Sequence, residues 1–138
     1  MIHSVKRLVK TASKEREIAL FCDFHGHSRR KNIFMYGNNY AERPDKTRVF
    51  PYIISKLCDY FSFEYSRFSV HRSKEATARV ALWKDIGHCP LVYTMEASFS
   101  GADKGSIKDQ HFSTENLMNA GRKVLEALLV YYKIDVAQ

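Results

Sequence analysis

Apolar residues recur along the chain with two different periods, and the changes between them mark out the elements. Over residues 3–15, Val5, Leu8, Val9 and Ala12 share one face while Lys6, Arg7, Lys10 and Lys14 lie elsewhere, which predicts an amphipathic packing helix. Residues 17–24 follow after a short turn, and the unbroken run Ile18-Ala19-Leu20-Phe21-Cys22 predicts a strand covered on both faces, as central parallel strands are. Ile33-Phe34-Met35-Tyr36 reads as a short strand closed by Gly37 and the polar pair Asn38-Asn39. Residues 45–61 place Val49, Ile53, Ile54, Leu57 and Tyr60 on one side of a helix. Its start is either a cap at Asp45 or a later one near Pro51, because proline suits a first turn better than an interior. Residues 61–71 alternate apolar and polar and predict a strand or extended segment with one wet face. A short helix is expected over 79–86, carrying Trp83 and ended by Gly87. A second apolar strand is expected over 91–97, then a polar surface loop over 98–112. A long helix starts from Ser113 or Thr114, with Leu117, Met118, Gly121, Val124, Leu125, Leu128, Leu129 and Tyr132 packed along its length. Helix followed by buried strand argues for an α/β layer architecture.

Two polar intrusions stand out against this pattern. The first strand run leads through Asp23 into His25-Gly26-His27, and imidazole delivered at a strand end is a common way to fix a metal ligand. A pair of hydrogen-bonded histidines fits the same spacing. The second is Glu96, set near the end of the apolar run of residues 91–97. A carboxylate there costs several kcal/mol, on the order of a buried polar group without partners, unless it is paired, protonated or facing a polar cavity. Catalysis or metal chemistry supplies a reason, and so does a solvent-facing strand end or a salt bridge.

Composition narrows the class without choosing the chemistry. The chain has 138 residues, 45% hydrophobic and 13% aromatic, enough for a folded core in one domain or part of one. Its 22 Lys and Arg against 15 Asp and Glu give a formal charge of +7, which favours an anionic partner: an acidic peptide, nucleic acid or an anionic membrane surface. The basic runs have little aromatic interleaving, which argues against nucleic acid. No window approaches the roughly 18 apolar residues of a membrane span, and the first residues lack a signal-peptide core, so a cytoplasmic protein is expected. Cys22, Cys58 and Cys89 are too few and too widely spaced for a disulfide framework or a zinc knuckle, and read as reduced thiols.

Taken as motifs, Asp23-Phe24-His25-Gly26-His27-Ser28-Arg29-Arg30-Lys31-Asn32 with Phe34-Met35-Tyr36-Gly37, and Tyr93-Thr94-Met95-Glu96-Ala97-Ser98-Phe99, closely resemble the cytosolic carboxypeptidase (deglutamylase) branch of the M14 zinc metallocarboxypeptidases. The resemblance continues through Ala76-Thr77-Ala78-Arg79-Val80, Trp83, His111-Phe112 and the final helix. It implies an α/β fold, the C-terminal part of a carboxypeptidase-like mixed sheet flanked by helices, with the whole chain one partial catalytic domain. By that resemblance His25 is a Zn²⁺ ligand, and Glu96 is the general base and acid that activates water and protonates the leaving amine. His27 lines the cleft, and Arg79 lies in the segment shaping the pocket for the C-terminal side chain, where a guanidinium suits glutamate. The implied substrate is an acidic C-terminal tail, such as that of polyglutamylated tubulin, with no nucleic acid and no membrane as partner.

The family's remaining zinc ligands, a His-x-x-Glu pair, precede the matching region, and no histidine of this chain is followed by glutamate at that spacing. One imidazole does not hold catalytic zinc with useful affinity. The expectation is therefore a chain inactive in isolation: a fragment, one half of a split enzyme, or a non-catalytic remnant or acidic-tail binding module. A sheet cut in this way leaves an edge open to self-association.

Overall fold

In the computed structural model, which describes residues 2–86, 89 and 91–134, a three-stranded mixed sheet separates two pairs of helices. The elements in order are α1 (Ile2–Glu15), β1 (Phe21–His27), β2 (Ile33–Tyr36), α2 (Asp45–Leu57), α3 (Ala78–Ile86), β3 (Val92–Ser98) and α4 (Thr114–Tyr131). A single 3-10 turn, Arg72–Lys74, precedes α3. The α/β architecture is the one expected, but the centre of the sheet is not. The order is β1-β3-β2, with β3 parallel to β1 and antiparallel to β2.

Strand β3 earns the central place by being buried along almost its whole length, whereas β1 has one neighbour among the described residues and is half exposed. The expected double-sided cover of β1 is therefore absent. Its ladder begins only at Phe21, leaving Ile18 to Leu20 as an extended lead-in, and it runs on through both histidines. Polar alternation at Asp23, His25 and His27 continues the strand instead of ending it.

One face of the sheet presents Ile33, Met35, Tyr93 and Met95 to α2 and α4, and these residues share a core with Phe50, Ile54, Ala120, Val124 and Ala127. Helix α2 begins at Asp45, so Pro51 does lie inside it. A proline there has no N–H for the carbonyl four residues back. That carbonyl belongs to Thr47, and the buried Tyr93 hydroxyl donates to it at 2.9 Å. The Tyr93 ring also stacks on Phe50, with centroids 5.7 Å apart.

Helix α4 starts from a capping box in which Ser113 and Asn116 satisfy each other's backbone N–H. It is not packed along its whole apolar surface: the buried stripe is Ala120, Val124 and Ala127, while Met118 is 71% and Leu125 63% exposed. Small residues at i, i+4 and i+7 let this helix lie close to the core, Leu128 and Tyr131 pack against it from the side, and Met118 and Leu125 point away. Helix α1 follows the same rule, with Val9 against the core and Leu8 exposed.

Residues 61–71 form no strand. They border the free edge of β2 through two isolated bridges, Ile33 with Phe61 and Tyr36 with Arg67, with a turn between them. The Ser66 hydroxyl accepts from the Met35 N–H at 3.0 Å, doing in one place what a ladder carbonyl would do. Gly87, the expected stop for α3, lies outside the described residues.

The loop after β3 is clipped to the start of β2 by the buried Asn32. Its backbone N–H donates to Gly101, its amide donates to Asp103 at 2.6 Å, and its side-chain oxygen accepts from the Asp103 N–H at 2.9 Å. Gly101 has φ of 77°, and a methyl at that position would lie 1.9 Å from the Gln110 carbonyl oxygen. Gly101→Ala is therefore expected to lower unfolding stability by ~2 kcal/mol or more in urea titration, with the loop as the part that loosens.

Inward-facing Cys22 has its thiol pushed up to about 12, first by burial and then by the neighbouring Asp23 carboxylate. The folded state thus holds this proton more tightly than the unfolded chain does. Its contribution to stability is complete below about pH 9 and is lost as pH rises through the folded value. At about pH 9, iodoacetamide should leave Cys22 unmodified in the native protein while alkylating it in the unfolded chain, as read by mass spectrometry. Fast native labelling would show that the inner face of β1 is open.

Candidate active site

The opposite face of the sheet is polar because side chains alternate along each strand. In β1, Asp23, His25 and His27 point to this face. The register sets Asp23 beside Thr94, His25 beside Glu96 and His27 beside Ser98, while Phe34 of β2 flanks Glu96 on the other side. The sequence therefore brings three of the four expected site residues together through one ladder. His25 Nδ1 lies 4.0 Å from Glu96 Oε1, and His27 Nδ1 lies 3.7 Å from Glu96 Oε2.

The His25 ring lies beside a second carboxylate, with its Nε2 2.9 Å from Asp23 Oδ2. An imidazole flanked by a carboxylate in this way is a common setting for a metal ligand. The role of Asp23 was not anticipated, although its period-two spacing from His25 was visible. His27 is more enclosed and meets the edge of the buried Phe34 ring at a centroid distance of 4.9 Å.

Glu96 is only 8% exposed, yet its oxygens keep access to solvent; among the described residues the one fully enclosed side-chain atom without a partner is Trp83 Nε1. Its carboxylate makes no hydrogen bond to the described residues, and its neighbours are the two imidazoles. Such a group can take up and release a proton without first breaking a strong bond.

Arg79 enters from the first turn of α3, which covers the polar face beside β1: Ala78, Ala81 and Leu82 line a cavity together with Phe21 and Asp23. Arg79 is 5% exposed, and its guanidinium is held by Nη1, which donates to the Gly37 carbonyl and, at 2.8 Å, to Asn38 Oδ1. Asn38, read from the sequence only as part of a turn, is fully buried and donates in turn to the Val92 carbonyl. Burial lowers the Arg79 pKa, and Tyr36 raises it by less. No carboxylate lies within 4.0 Å of Arg79 among the described residues, so it stands apart from Glu96. A buried cation without a counter-ion suits a carboxylate-bearing ligand.

Among the described residues, no group of three or more His, Cys, Asp or Glu side chains is arranged to hold a metal ion. His25 fits as one ligand through Nδ1, and further donors would have to come from other residues. None of the described helices is long and apolar enough to cross a membrane.

Comparison with known proteins bears on the chain as a whole. No family model matches the chain. Cytosolic carboxypeptidase 2 of Xenopus tropicalis is 42% identical over 138 residues, covering 97% of this chain and 14% of that protein. The mouse protein of the same name is 44% identical over 133 residues, covering 94% of this chain and 15% of that protein. Cytosolic carboxypeptidase 1 of Xenopus laevis is 35% identical over 144 residues, covering 93% and 12%. The chain thus spans only 14% of the length of the first of these relatives. Among solved structures, a metallo-carboxypeptidase from Burkholderia cenocepacia has the same fold, with a TM-score of 0.70 over 89% of this chain and 33% of that one, at 18% identity. Along nearly its whole length the chain is thus similar in sequence to one part of the cytosolic carboxypeptidases, and it has the metallo-carboxypeptidase fold.

Proposed function

We propose that the chain is part of a zinc carboxypeptidase catalytic domain that removes C-terminal glutamates from acidic protein tails, such as that of tubulin, in the cytoplasm. The observation that carries this reading is the Asp23-His25-Glu96 arrangement: an imidazole with one carboxylate beside its Nε2 and a buried carboxylate 4.0 Å from its Nδ1. Glu96 is the proton carrier. It takes a proton from water as the water oxygen adds to the scissile carbonyl carbon, then delivers that proton to the amide nitrogen as the C–N bond breaks. The products are a shortened tail with a new carboxylate and a free glutamate. His27 lines the cleft and keeps the Glu96 carboxylate from turning away. Arg79, a buried cation lacking a protein counter-ion, receives the carboxylate of the departing glutamate side chain. A zinc ion held at His25 Nδ1 would supply Lewis acidity toward the carbonyl.

Among the described residues no further donors gather at His25, so we propose that the chain is inactive until they are supplied by further polypeptide. Among the described residues the outer edge of β1 is unpaired, and His25 lies near its end, so this edge is the proposed place for another strand to add. A second reading is a non-catalytic module that holds acidic tails, favoured by the absence of a multi-ligand group among the described residues.

The two readings part on one measurement. A polypeptide carrying this chain together with the missing donors should release glutamate from a polyglutamate-tailed peptide, and Glu96→Gln should slow that release by ~10²-fold or more. Equal release by both proteins would remove Glu96 from the mechanism, and tail binding with no release by either would favour the module. The 138-residue chain alone should carry no near-stoichiometric zinc; finding it would overturn the proposal of missing donors.

Asp23→Ala is expected to weaken zinc retention in the completed polypeptide by about 10- to 100-fold in chelator competition. Asp23→Asn, which keeps an acceptor at the same place, should restore part of it.

A further inference from the structure

Helix α1 carries a run of positive charge on the side of the site. His3, Lys6, Arg7, Lys10, Thr11 and Lys14 line an open depression of about 310 Å³. Among the described residues, Asp85 of α3 is the one carboxylate ion-paired to it, 3.0 Å from Lys6 and 3.6 Å from Lys10. One acidic group against four permanent cations leaves the depression strongly positive, and both lysines keep much of their side chains in solvent. Lys6 also lines the adjoining cavity of about 180 Å³, whose wall includes Asp23. Asp23 in turn holds His25. The two hollows therefore share one lysine, and the second ends at the ligand-bearing strand.

We infer that α1 is a docking track for an acidic polypeptide segment, lying upstream of the residue positioned at His25 and Glu96. This rests on the carboxypeptidase reading above, which places the C-terminus of the tail at that site. Spacing favours an extended acidic peptide. Lys6, Lys10 and Lys14 follow at i, i+4 and i+8, so their stems leave the helix about 6 Å apart along its axis. An extended chain places alternate side chains on one side about 6.6 Å apart. Successive glutamates at alternate positions thus meet successive lysines. Nucleic acid fits less well, because no Phe, Tyr or Trp lines the track for a base to stack on. The ladder is free to serve this purpose because α1 owes its place in the fold to Val9 and to the ion pairs with Asp85, not to Arg7 or Lys14.

The test is binding of a fluorescent deca-glutamate peptide to the 138-residue chain by anisotropy. Arg7→Glu with Lys14→Glu should raise the Kd about tenfold or more at fixed ionic strength, with the far-ultraviolet spectrum and melting temperature unchanged. Arg29→Glu with Lys31→Glu, the same charge change on the loop after β1, should move it by less than about threefold. Equal weakening by both pairs would reduce the effect to net charge and overturn the track, as would no weakening by the α1 pair. Displacement of the peptide by an RNA oligonucleotide of equal charge at lower concentration would also overturn it, in favour of nucleic acid. The assay reads binding alone, so loss of the track would leave the catalytic role of Glu96 standing, and failure of Glu96 in hydrolysis would leave the track standing.

Discussion

The parallel ladder between β1 and β3, which sets His25 opposite Glu96, is the constraint on which both the site and the core rest. Side chains alternate along a strand, so a slip of one residue would exchange the faces. Asp23, His25 and His27 would turn toward α2 and α4, and Cys22 and Phe24 would take their place. That exchange is opposed by the inner-face residues of β3, Tyr93 and Met95, which are almost fully enclosed and have no other place to go. Burial on one face thus fixes chemistry on the other. The antiparallel pairing with β2 completes the arrangement by bringing Phe34 against Glu96 and His27.

The polar face carries two costs that a purely structural sheet would avoid. Glu96 and Arg79 are both buried, of opposite sign, and do not neutralise each other. Pairing them would relieve the desolvation of each. Instead Arg79 is held by a carbonyl and an amide oxygen, and Glu96 by proximity to two imidazoles. Separate confinement keeps the two charges apart, at a cost to the stability of the scaffold.

Local pattern gave most of the elements, because a strand's alternation and a helix's stripe are properties of neighbouring residues. The three strands, the four helices and the cap at Ser113 were legible in that sense. What depended on distant residues was not. The apolar run before Asp23 reads as a central strand, and only the pairing partner reveals that β3 holds the centre. Residues 61–71 alternate like a strand, but Ser66 uses its hydroxyl on Met35 and a turn interrupts the ladder. In α4 the sequence does not separate the side chains that are fully buried, Ala120, Val124 and Ala127, from exposed ones such as Leu125. For the candidate site, His25, His27, Glu96 and Arg79 were singled out from the sequence as proposals, while the nearness of Asp23 to His25 and the burial of Asn38 beside Arg79 came only from the structure.

Tyr93 joins these levels through a gap in another element. Pro51 leaves the Thr47 carbonyl without its helical donor, and the Tyr93 hydroxyl fills the vacancy. Tyr93 is also three residues before Glu96 on the same strand, so the pitch of β3 is referenced to a defect in α2. Damage there would be silent to any inspection of the cleft: every site residue would be present, and only their aim would have drifted. Sequence variants at Pro51, Thr47 or Tyr93 thus belong with the site when loss of function is traced, although none of them touches a substrate.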